Sequence, residues 1–496
     1  MRRRLGEDAC IRTTAEATNE PDVLASAAAG PAALRGSALR SGAYLASIAL
    51  SLGSAPLLVR HLGIAEFGRY ITVASLMNLV AGVTEGGLNA VALREYATLA
   101  PDRRAATMRS LLGIRLALSS GGVAVGMAFA LAAGYDSPLV LGAAGAGVGV
   151  ILQAIQTLLT VPLQAELRFG WTAVLDLLRQ VVAVVLIVAG VLAGAGLVPF
   201  LWVTVPAGAV ALAVTVRLVR GRTPLRPALA RDVWWPLVRD TLPYTAAVAV
   251  NVVYFRVTIL IMSLRASALE TGYFATSFRV VEVLLGVPAL VVGAAYPILA
   301  RAARDDHERH AYAMRRILDL GVIFGAWLAM NVVVGAELAV DVLAGGRGGP
   351  AVAVLRIQGL ALLATSLAVA TGYGLLTLRR HAPMLVANAA SLVVAVVLTL
   401  LLVPGSGARG AAVATLAAEA VLATVQVVVF LRGRPAVAPG LRGAPLTLAA
   451  AGAGVLAWWL LGAPEVLGLL VANALFAGGL LATGRFPPEV RDALRR

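Results

Sequence analysis

The sequence contains no lysine, so all 41 of its basic residues are arginine. Charged residues of every kind make up only 14% of the 496 residues, about half the fraction typical of a soluble protein. Hydrophobic residues make up 59%, and the mean hydropathy is +0.86. This composition excludes an ordinary soluble globular protein and predicts an integral membrane protein.

Cysteine and histidine are also scarce. The single cysteine, Cys10, excludes an internal disulfide. Of the four histidines, only His307 and His310 are close together, in a charged loop with no metal-ligand constellation. We therefore predict no metal site, no catalytic residue and no cofactor, and the only small species that we expect the protein to use are coupling protons or sodium ions.

No strongly apolar run follows the N-terminal arginines closely, so residues 1–40 are predicted to be a cytoplasmic tail and not a signal peptide. From residue 41 onward, apolar segments recur, each near the ~20 residues needed to cross a bilayer. The predicted fold class is all-α, integral to the membrane, with about 14 transmembrane helices. The spans are 41–59, 70–93, 110–133, 138–163, 171–193, 197–216, 242–263, 272–299, 317–342, 351–378, 383–403, 410–431, 444–462 and 465–484.

The arginines are distributed unevenly between alternate loops. With the N-terminus inside, 31 arginines fall on the inner side and five on the outer side, and the other five lie within spans. The positive-inside rule therefore predicts a multi-pass protein of the cell membrane with both termini cytoplasmic. The net charge of +15 is explained by this topology and by contact with anionic lipids, so we do not expect nucleic acid to be a partner.

An internal repeat appears when the chain is shifted by 204 residues. The segment 65–72 then falls on 269–276, with identities at Glu66/Glu270, Gly68/Gly272 and Thr72/Thr276. Because six spans separate the copies, both have the same orientation, which is typical of two parallel six-helix repeats. The predicted organisation is a tail 1–40, a first bundle 41–216, a cytoplasmic linker 217–241, a second bundle 242–432, two additional helices in 443–484 and a cytoplasmic tail 485–496.

The second span carries a polar stripe. Asn78, Gly82, Glu85 and Asn89 are spaced by four, three and four residues, which places them on one face of a helix over 70–93. A membrane helix with one polar stripe that includes a carboxylate predicts the wall of a polar cavity. The alternative is a helix-packing contact at Gly82 and Gly86.

Arginines inside spans are costly, at about 2.5–3.5 kcal/mol near the bilayer centre. Arg256 has Asn251 nearby and no acidic residue in its span, which predicts an unpaired guanidinium that needs an anion or a water-filled cavity. Arg279 either lines the same cavity or is simply paired with Glu282 one turn later. Arg115 either reaches the inner surface or contributes to the site.

The predicted substrate-binding residues are Arg256, Arg279, Asn78, Glu85, Asn89, Asn251, Glu282 and Arg115. A desolvated carboxylate can carry a proton, so the acidic residues within or near spans are candidates for ion coupling. They are Glu85, Asp176, Glu282, Asp319 and Glu419.

Two motifs carry a resemblance to a known family. The first has the pattern LG-x-x-x-FG-x-Y at 62–70, and the second is LVPGSGARGAAVATLAAE at 402–419. Over roughly 40–432 the chain resembles the polysaccharide-exporter branch of the MOP flippase superfamily. This branch includes O-antigen (Wzx-type) and lipid II flippases, and the multidrug MATE exporters are related to it. The resemblance implies two bundles around a central cavity that moves a lipid-linked glycan.

The first span departs from the pattern of lipid II flippases, because it has no basic residue between Gly42 and Val59. This favours a flippase for an undecaprenyl-pyrophosphate-linked polysaccharide precursor, acting without bond chemistry. The expected partners are the lipid-linked glycan, membrane lipids and polysaccharide-assembly enzymes. The alternatives are a cation-coupled multidrug exporter of the same fold and a membrane glycosyltransferase or polymerase, which would need a larger outer loop with catalytic carboxylates.

Overall fold

The computed structural model describes residues 29–99, 101–166, 168–221, 225–228, 231–462 and 464–484. These residues form α-helices joined by short turns, together with one 3-10 helix at Pro435–Leu441. The helices are α1 (Ala29–Leu62), α2 (Ile64–Glu85), α3 (Leu88–Thr98), α4 (Pro101–Ala132), α5 (Ser137–Leu159), α6 (Val161–Ala165), α7 (Phe169–Leu192), α8 (Leu197–Trp202), α9 (Thr204–Val219), α10 (Arg231–Arg265), α11 (Ala268–Asp305), α12 (His307–Val334), α13 (Ala336–Ala344), α14 (Gly349–Thr377), α15 (His381–Gly433), α16 (Ala444–Leu461) and α17 (Glu465–Ala482).

Each of the fourteen predicted spans coincides, to within two residues at its ends, with all or part of one helix or of two consecutive helices. This confirms the predicted all-α membrane fold. Eleven helices of the described residues are long and apolar enough to cross a membrane. The helices α1 and α11, which contain the predicted spans 41–59 and 272–299, are not among these eleven, so the number of crossings stays a prediction. The helix α1 begins at Ala29, within the predicted tail 1–40, whereas 1–28 and 485–496 lie outside the described residues.

Glycines interrupt the regular helices where the sequence predicted continuity. The predicted helix over 70–93 is wrong in this respect, because Gly86 and Gly87 adopt φ values of 43° and 79° and separate α2 from α3. These left-handed values strain residues with a Cβ, and glycine adopts them freely. In α15, Gly407 at φ 51° joins two helices at a kink, which places the predicted spans 383–403 and 410–431 on either side of it.

The two predicted halves meet at their equivalent glycines. A Cβ at Gly68 of α2 would lie 2.5 Å from the backbone nitrogen of Gly272 in α11, and a Cβ at Gly272 would lie 2.0 Å from the carbonyl oxygen of Ile64. The two backbones can therefore approach this closely only because both residues lack a side chain. The 204-residue shift found in the sequence thus relates two helices that cross at corresponding positions.

Two ends of the molecule can be defined by these helices. We call the end that holds Gly63 and the α10–α11 turn (residues 266–267) the turn end. The opposite end, which holds the segment 225–228 between α9 and α10, is called the linker end. Gly68 and Gly272 lie one turn into their helices, so the contact between the halves at this crossing closes the turn end.

The last two helices pack on the second half. Asn473 of α17 donates to Asn331 of α12 at 2.8 Å and accepts a hydrogen bond from the Trp327 indole at 2.7 Å. The Glu465 carboxylate accepts hydrogen bonds from the backbone nitrogens of Glu337 and Leu338. Both nitrogens lie in the first turn of α13, where backbone donors have no acceptor within the helix. Polar groups hold α17 in place because lipid offers little hydrophobic drive for helix association.

Candidate substrate site between the two halves

A charged cluster connects α10 and α11 at the boundary between the halves. One oxygen of Glu282 accepts a hydrogen bond from Arg256 at 2.6 Å, and the other accepts one from Arg279 at 2.8 Å. Arg279 also donates to the Ser51 hydroxyl of α1 in the first half. The cluster therefore has two guanidinium groups and one carboxylate, with an excess of one positive charge.

The helical geometry explains this arrangement. Arg279 and Glu282 are three residues apart on α11, so their side chains share a face. Arg256 reaches the same carboxylate from α10, with its guanidinium carbon 5.9 Å from the centre of the Phe278 ring. The prediction that Arg256 is unpaired is wrong, since its partner comes from the neighbouring helix. Arg279 is paired with Glu282, while its role in substrate binding stays a prediction.

The cluster lies deep in the membrane-spanning region. Arg279 is eleven residues from the start of α11, about 16 Å along the helix axis, and Arg256 is nine residues, about 14 Å, from the end of α10. The side chains of the three residues are nevertheless 20–26% exposed. Their partial exposure shows that the cluster is not sealed within the packed core.

Asn78 lies on the face of α2 that is directed toward the second half. It stands between Ser75, which is buried, and Gly82, where a Cβ would lie 2.7 Å from Val252 of α10. Asn78 itself is exposed. The stripe is a packing contact at Gly82 and Gly86, while a cavity wall at Asn78 stays a prediction.

The break in α2 separates a second polar group from the first. Arg115 of α4, which is 4% exposed, donates to the Thr84 carbonyl oxygen at 3.0 Å. The Thr245 hydroxyl of α10 donates to the Gly86 carbonyl oxygen at 2.5 Å. The break leaves main-chain carbonyls without their helical partners, and these two side chains supply donors from the first and the second half respectively.

Arg115 therefore neither reaches the membrane surface nor joins Arg256 and Arg279. Its buried guanidinium keeps Nε without a hydrogen-bond partner. Glu85 is exposed at the end of α2 and accepts a hydrogen bond from Asn89 at 3.3 Å. The predicted site residues on this side form a group around the α2 break, nearer the linker end than the arginine cluster.

Asn251 is not brought to the arginine cluster either. Its side-chain amide donates to Asn388 of α15 at 3.4 Å, within the second half. Five residues separate Asn251 from Arg256, and this spacing places them on different faces of α10. This hydrogen bond connects α10 and α15.

A buried polar pocket in the second half surrounds Glu419, one of the residues named as candidates for ion coupling. Glu419 is 5% exposed and accepts hydrogen bonds from Tyr254 at 2.6 Å and Thr365 at 2.7 Å. Gln358, which is also buried, lines the same cavity of about 30 Å³, and neither of its side-chain amide atoms has a partner. The motif at 402–419 singled out Glu419, but the residues around it come from distant parts of the chain.

Three contacts across the boundary close the turn end. The Tyr135 and Ser263 hydroxyls are 2.6 Å apart, which connects the α4–α5 turn to α10. Arg60 at the end of α1 donates to the carbonyl oxygens of Asp341 and Val342 in α13, at 3.1 and 2.8 Å. With the crossing of α2 and α11 between them, these contacts separate the arginine cluster from the turn end.

This helical architecture is shared with several solved membrane proteins. A structure of the lipid II flippase MurJ, in an inward closed conformation, has a TM-score of 0.74 at 13% identity and covers 90% of this chain and 100% of its own. An inward-facing multidrug resistance MATE transporter of the MOP superfamily has a TM-score of 0.59 at 14% identity, covering 81% of this chain and 95% of that one. An outward-facing MATE structure has a TM-score of 0.55 at 16% identity, with coverages of 82% and 96%.

A family model described as polysaccharide biosynthesis protein matches residues 57–352. This match covers more than half of the chain, so the protein belongs to that family. No curated protein matches the chain in sequence. Family and fold agree with the resemblance found in the two sequence motifs.

Proposed function

We propose that this protein is a flippase that moves an undecaprenyl-pyrophosphate-linked saccharide from the inner to the outer face of the cell membrane. The observation that carries the proposal is the cluster of Arg256, Arg279 and Glu282, a net positive, partly exposed group at mid-depth between the halves. Membership of a polysaccharide biosynthesis family supports a glycan as the cargo. The fold shared with a protein described as a lipid II flippase supports transport of a lipid-linked form.

The arginine cluster suits a pyrophosphate. Guanidinium groups bind phosphate oxygens through charge-assisted, often bidentate hydrogen bonds. In the absence of substrate, Glu282 takes the place of the anion and holds both arginines. A pyrophosphate entering from the membrane brings more negative charge than this carboxylate offers, so it competes for the same donors while its lipid tail stays in the bilayer.

Transport then requires the halves to move relative to each other. Opening the turn end would separate Tyr135 from Ser263 and Arg60 from the end of α13. Opening the linker end on the other side would separate Thr245 from Gly86. Each contact involves a single hydroxyl or a single guanidinium group, so each is weak enough to be exchanged during a transport cycle. The proposal includes no bond chemistry.

The proposed orientation places the turn end outside the cell and both termini in the cytoplasm. The excess of arginines on the linker side supports it. Cys10, the only native thiol, should react with a membrane-impermeant maleimide only after permeabilisation. In a Cys10→Ser background, Ser406→Cys at the turn end should react without permeabilisation. The reverse pattern would invert the orientation.

Ion coupling is proposed to act at the buried pocket of Glu419. Among the described residues Glu419 forms no ion pair, and burying an unpaired carboxylate is costly. A bound proton or a small cation such as sodium would remove this cost, and the neighbouring amide of Gln358 offers an unused oxygen. Glu419→Gln should therefore make transport independent of the proton or sodium gradient that drives it. Unchanged gradient dependence would eliminate this site.

The direct test of the function uses purified protein in liposomes with a fluorescent lipid-linked saccharide. Arg256→Ala leaves the Arg279–Glu282 pair intact, so the fold should persist while translocation falls about tenfold or more, as expected for a lost charged hydrogen bond. Arg347→Ala, an exposed arginine outside the cluster, is the matched control. Translocation by Arg256→Ala at the control rate would refute the assignment.

A multidrug exporter of the same fold is the second candidate, since two of the similar structures are described as multidrug resistance transporters. Such an exporter would take cationic drugs, which the net positive cluster of Arg256 and Arg279 repels. In the same liposomes, a cationic dye should therefore not be transported. Dye transport that survives Arg256→Ala would favour this second function.

A further inference from the structure

An open pocket of about 660 Å³ lies at the turn end, apart from the boundary between the halves. Its lining comes from α10, α11, α14 and the kink of α15, all within the second half. Arg265 and Arg409 line it, together with Tyr273 and the Pro404–Gly407 turn. Its volume is in the range usual for sites that bind small ligands.

The two arginines are unusual for their position. Only five arginines are assigned to the outer side by the sequence, and two of these are engaged: Arg60 with the end of α13 and Arg69 with Glu66. Arg265 and Arg409 are exposed and form no ion pair or hydrogen bond among the described residues. Two arginines that line one pocket, at a face poor in basic residues, suit the binding of an anion.

The repeat supports this interpretation. In the first half, Glu66 and Asp136 both pair with Arg69. In the second half, the equivalent acid, Glu270, instead accepts a hydrogen bond from the Ala408 backbone nitrogen at 2.7 Å. Glu270 is therefore engaged in holding the turn after Pro404, and it leaves the pocket with one more positive charge than negative.

We propose that this pocket binds the phosphate group of a lipid at the membrane surface. Two guanidinium groups and the Tyr273 hydroxyl are all donors, as phosphate oxygens require. Two lipids supply this chemistry, namely an anionic phospholipid and the pyrophosphate-linked carrier after translocation. The site is distinct from the arginine cluster, and only its outer location depends on the proposed orientation.

The test replaces the only cysteine of the sequence, so that one introduced thiol can be labelled. In the Cys10→Ser background, Ser406→Cys in the pocket lining is labelled with an environment-sensitive fluorophore, in nanodiscs of phosphatidylcholine. Inorganic pyrophosphate is the probe, and a saturable fluorescence change is expected. Arg265→Ala with Arg409→Ala should weaken this binding about tenfold or more, whereas Arg347→Ala should not. Equal affinity in the double variant, or no saturable change, would overturn the proposal.

Competition then identifies the lipid. Suppression of the response by phosphatidylglycerol in the nanodisc indicates a phospholipid headgroup, and suppression by undecaprenyl pyrophosphate indicates the carrier. If neither lipid competes with pyrophosphate, recognition of a lipid phosphate is refuted. Because the fluorophore reports from the pocket, a failure here is distinguishable from a failure of the flippase proposal, which rests on Arg256 and Arg279.

Discussion

Gly68 and Gly272 are separated by 204 residues and face each other where α2 crosses α11, so that a Cβ on Gly68 would lie 2.5 Å from the Gly272 nitrogen. The same two positions are identical in the internal repeat. The crossing therefore lies on the axis that relates the two halves, and it is also the point at which the turn end is closed. Opening the turn end requires these two backbones to part.

Gly68→Ala should favour the state in which the turn end is open. The added methyl cannot fit against backbone atoms of α11, and such overpacking costs about 1–3 kcal/mol in the closed state. A population shift of about fivefold or more follows. The measurement is the rate at which a maleimide added from the turn-end side labels Asn78→Cys in the Cys10→Ser background.

The matched control is Gly121→Ala on α4, where a Cβ has nothing within 4 Å. This variant should leave the labelling rate unchanged. If Gly68→Ala labels no faster than the control, the crossing is not the contact that closes the turn end.

Much of the architecture could be predicted from the sequence, because membrane helices are long apolar runs and glycine identities mark close approaches. The break at Gly86 and Gly87 was missed, since the apolar pattern continues through it from Ala81 to Leu93. Two adjacent glycines are compatible with a packing contact as well as with a break. Only the structure shows that both adopt positive φ.

The site was predicted less completely than the fold. Arg256, Arg279 and Glu282 could each be identified from the sequence of its own span. The partner of Arg256 could not, because Glu282 lies on the next helix. Ser51, Thr245 and Gln358 were not predicted at all. Single serine, threonine and glutamine residues are frequent in membrane helices, and only three-dimensional contacts distinguish those that face a charged or broken segment.

Tyr135→Phe should also weaken closure of the turn end. It removes the hydroxyl that is hydrogen-bonded to Ser263 and keeps the ring, at a cost of about 0.5–1.5 kcal/mol. Burial raises the pKa of Tyr135 above its ordinary value, and the hydrogen bond with Ser263 opposes this only in part. The hydroxyl stays protonated below that raised pKa, so the contact should persist throughout the physiological range and be lost only in strong base.

The expected result is faster labelling of Asn78→Cys in Tyr135→Phe than in the same protein with Tyr135 intact. The ratio of the two rates should not change between about pH 6 and pH 8, because the thiolate fraction of the cysteine changes both rates equally. Tyr312→Phe, at an exposed tyrosine of α12, serves as the control. A ratio that falls toward one as the pH rises to about 8 would show that Tyr135 ionises more readily than its burial implies.

Thr245→Val should loosen the contact between α10 and the break in α2. The Gly86 carbonyl would lose its donor, and an unsatisfied carbonyl costs about 1–3 kcal/mol. Thr245→Ser keeps the hydroxyl and should behave like the native protein. The measurement is disulfide formation between cysteines placed at Gly82 and Val252, and equal yields in the valine and serine variants would contradict the role of this bond.

Glu282→Gln tests whether the carboxylate holds the arginines until a substrate arrives. Removing its charge leaves Arg256 and Arg279 with two uncompensated positive charges at mid-depth. An anion should then bind more tightly, by about tenfold or more for one additional charged contact, while translocation should slow because release now lacks a competing carboxylate. Binding of inorganic pyrophosphate and single-turnover flipping in liposomes separate the two effects.

Glu337→Gln, at an exposed glutamate of α13, is the control for a change in net charge. Weaker pyrophosphate binding in Glu282→Gln would mean that the carboxylate positions the arginines for substrate and does not compete with it.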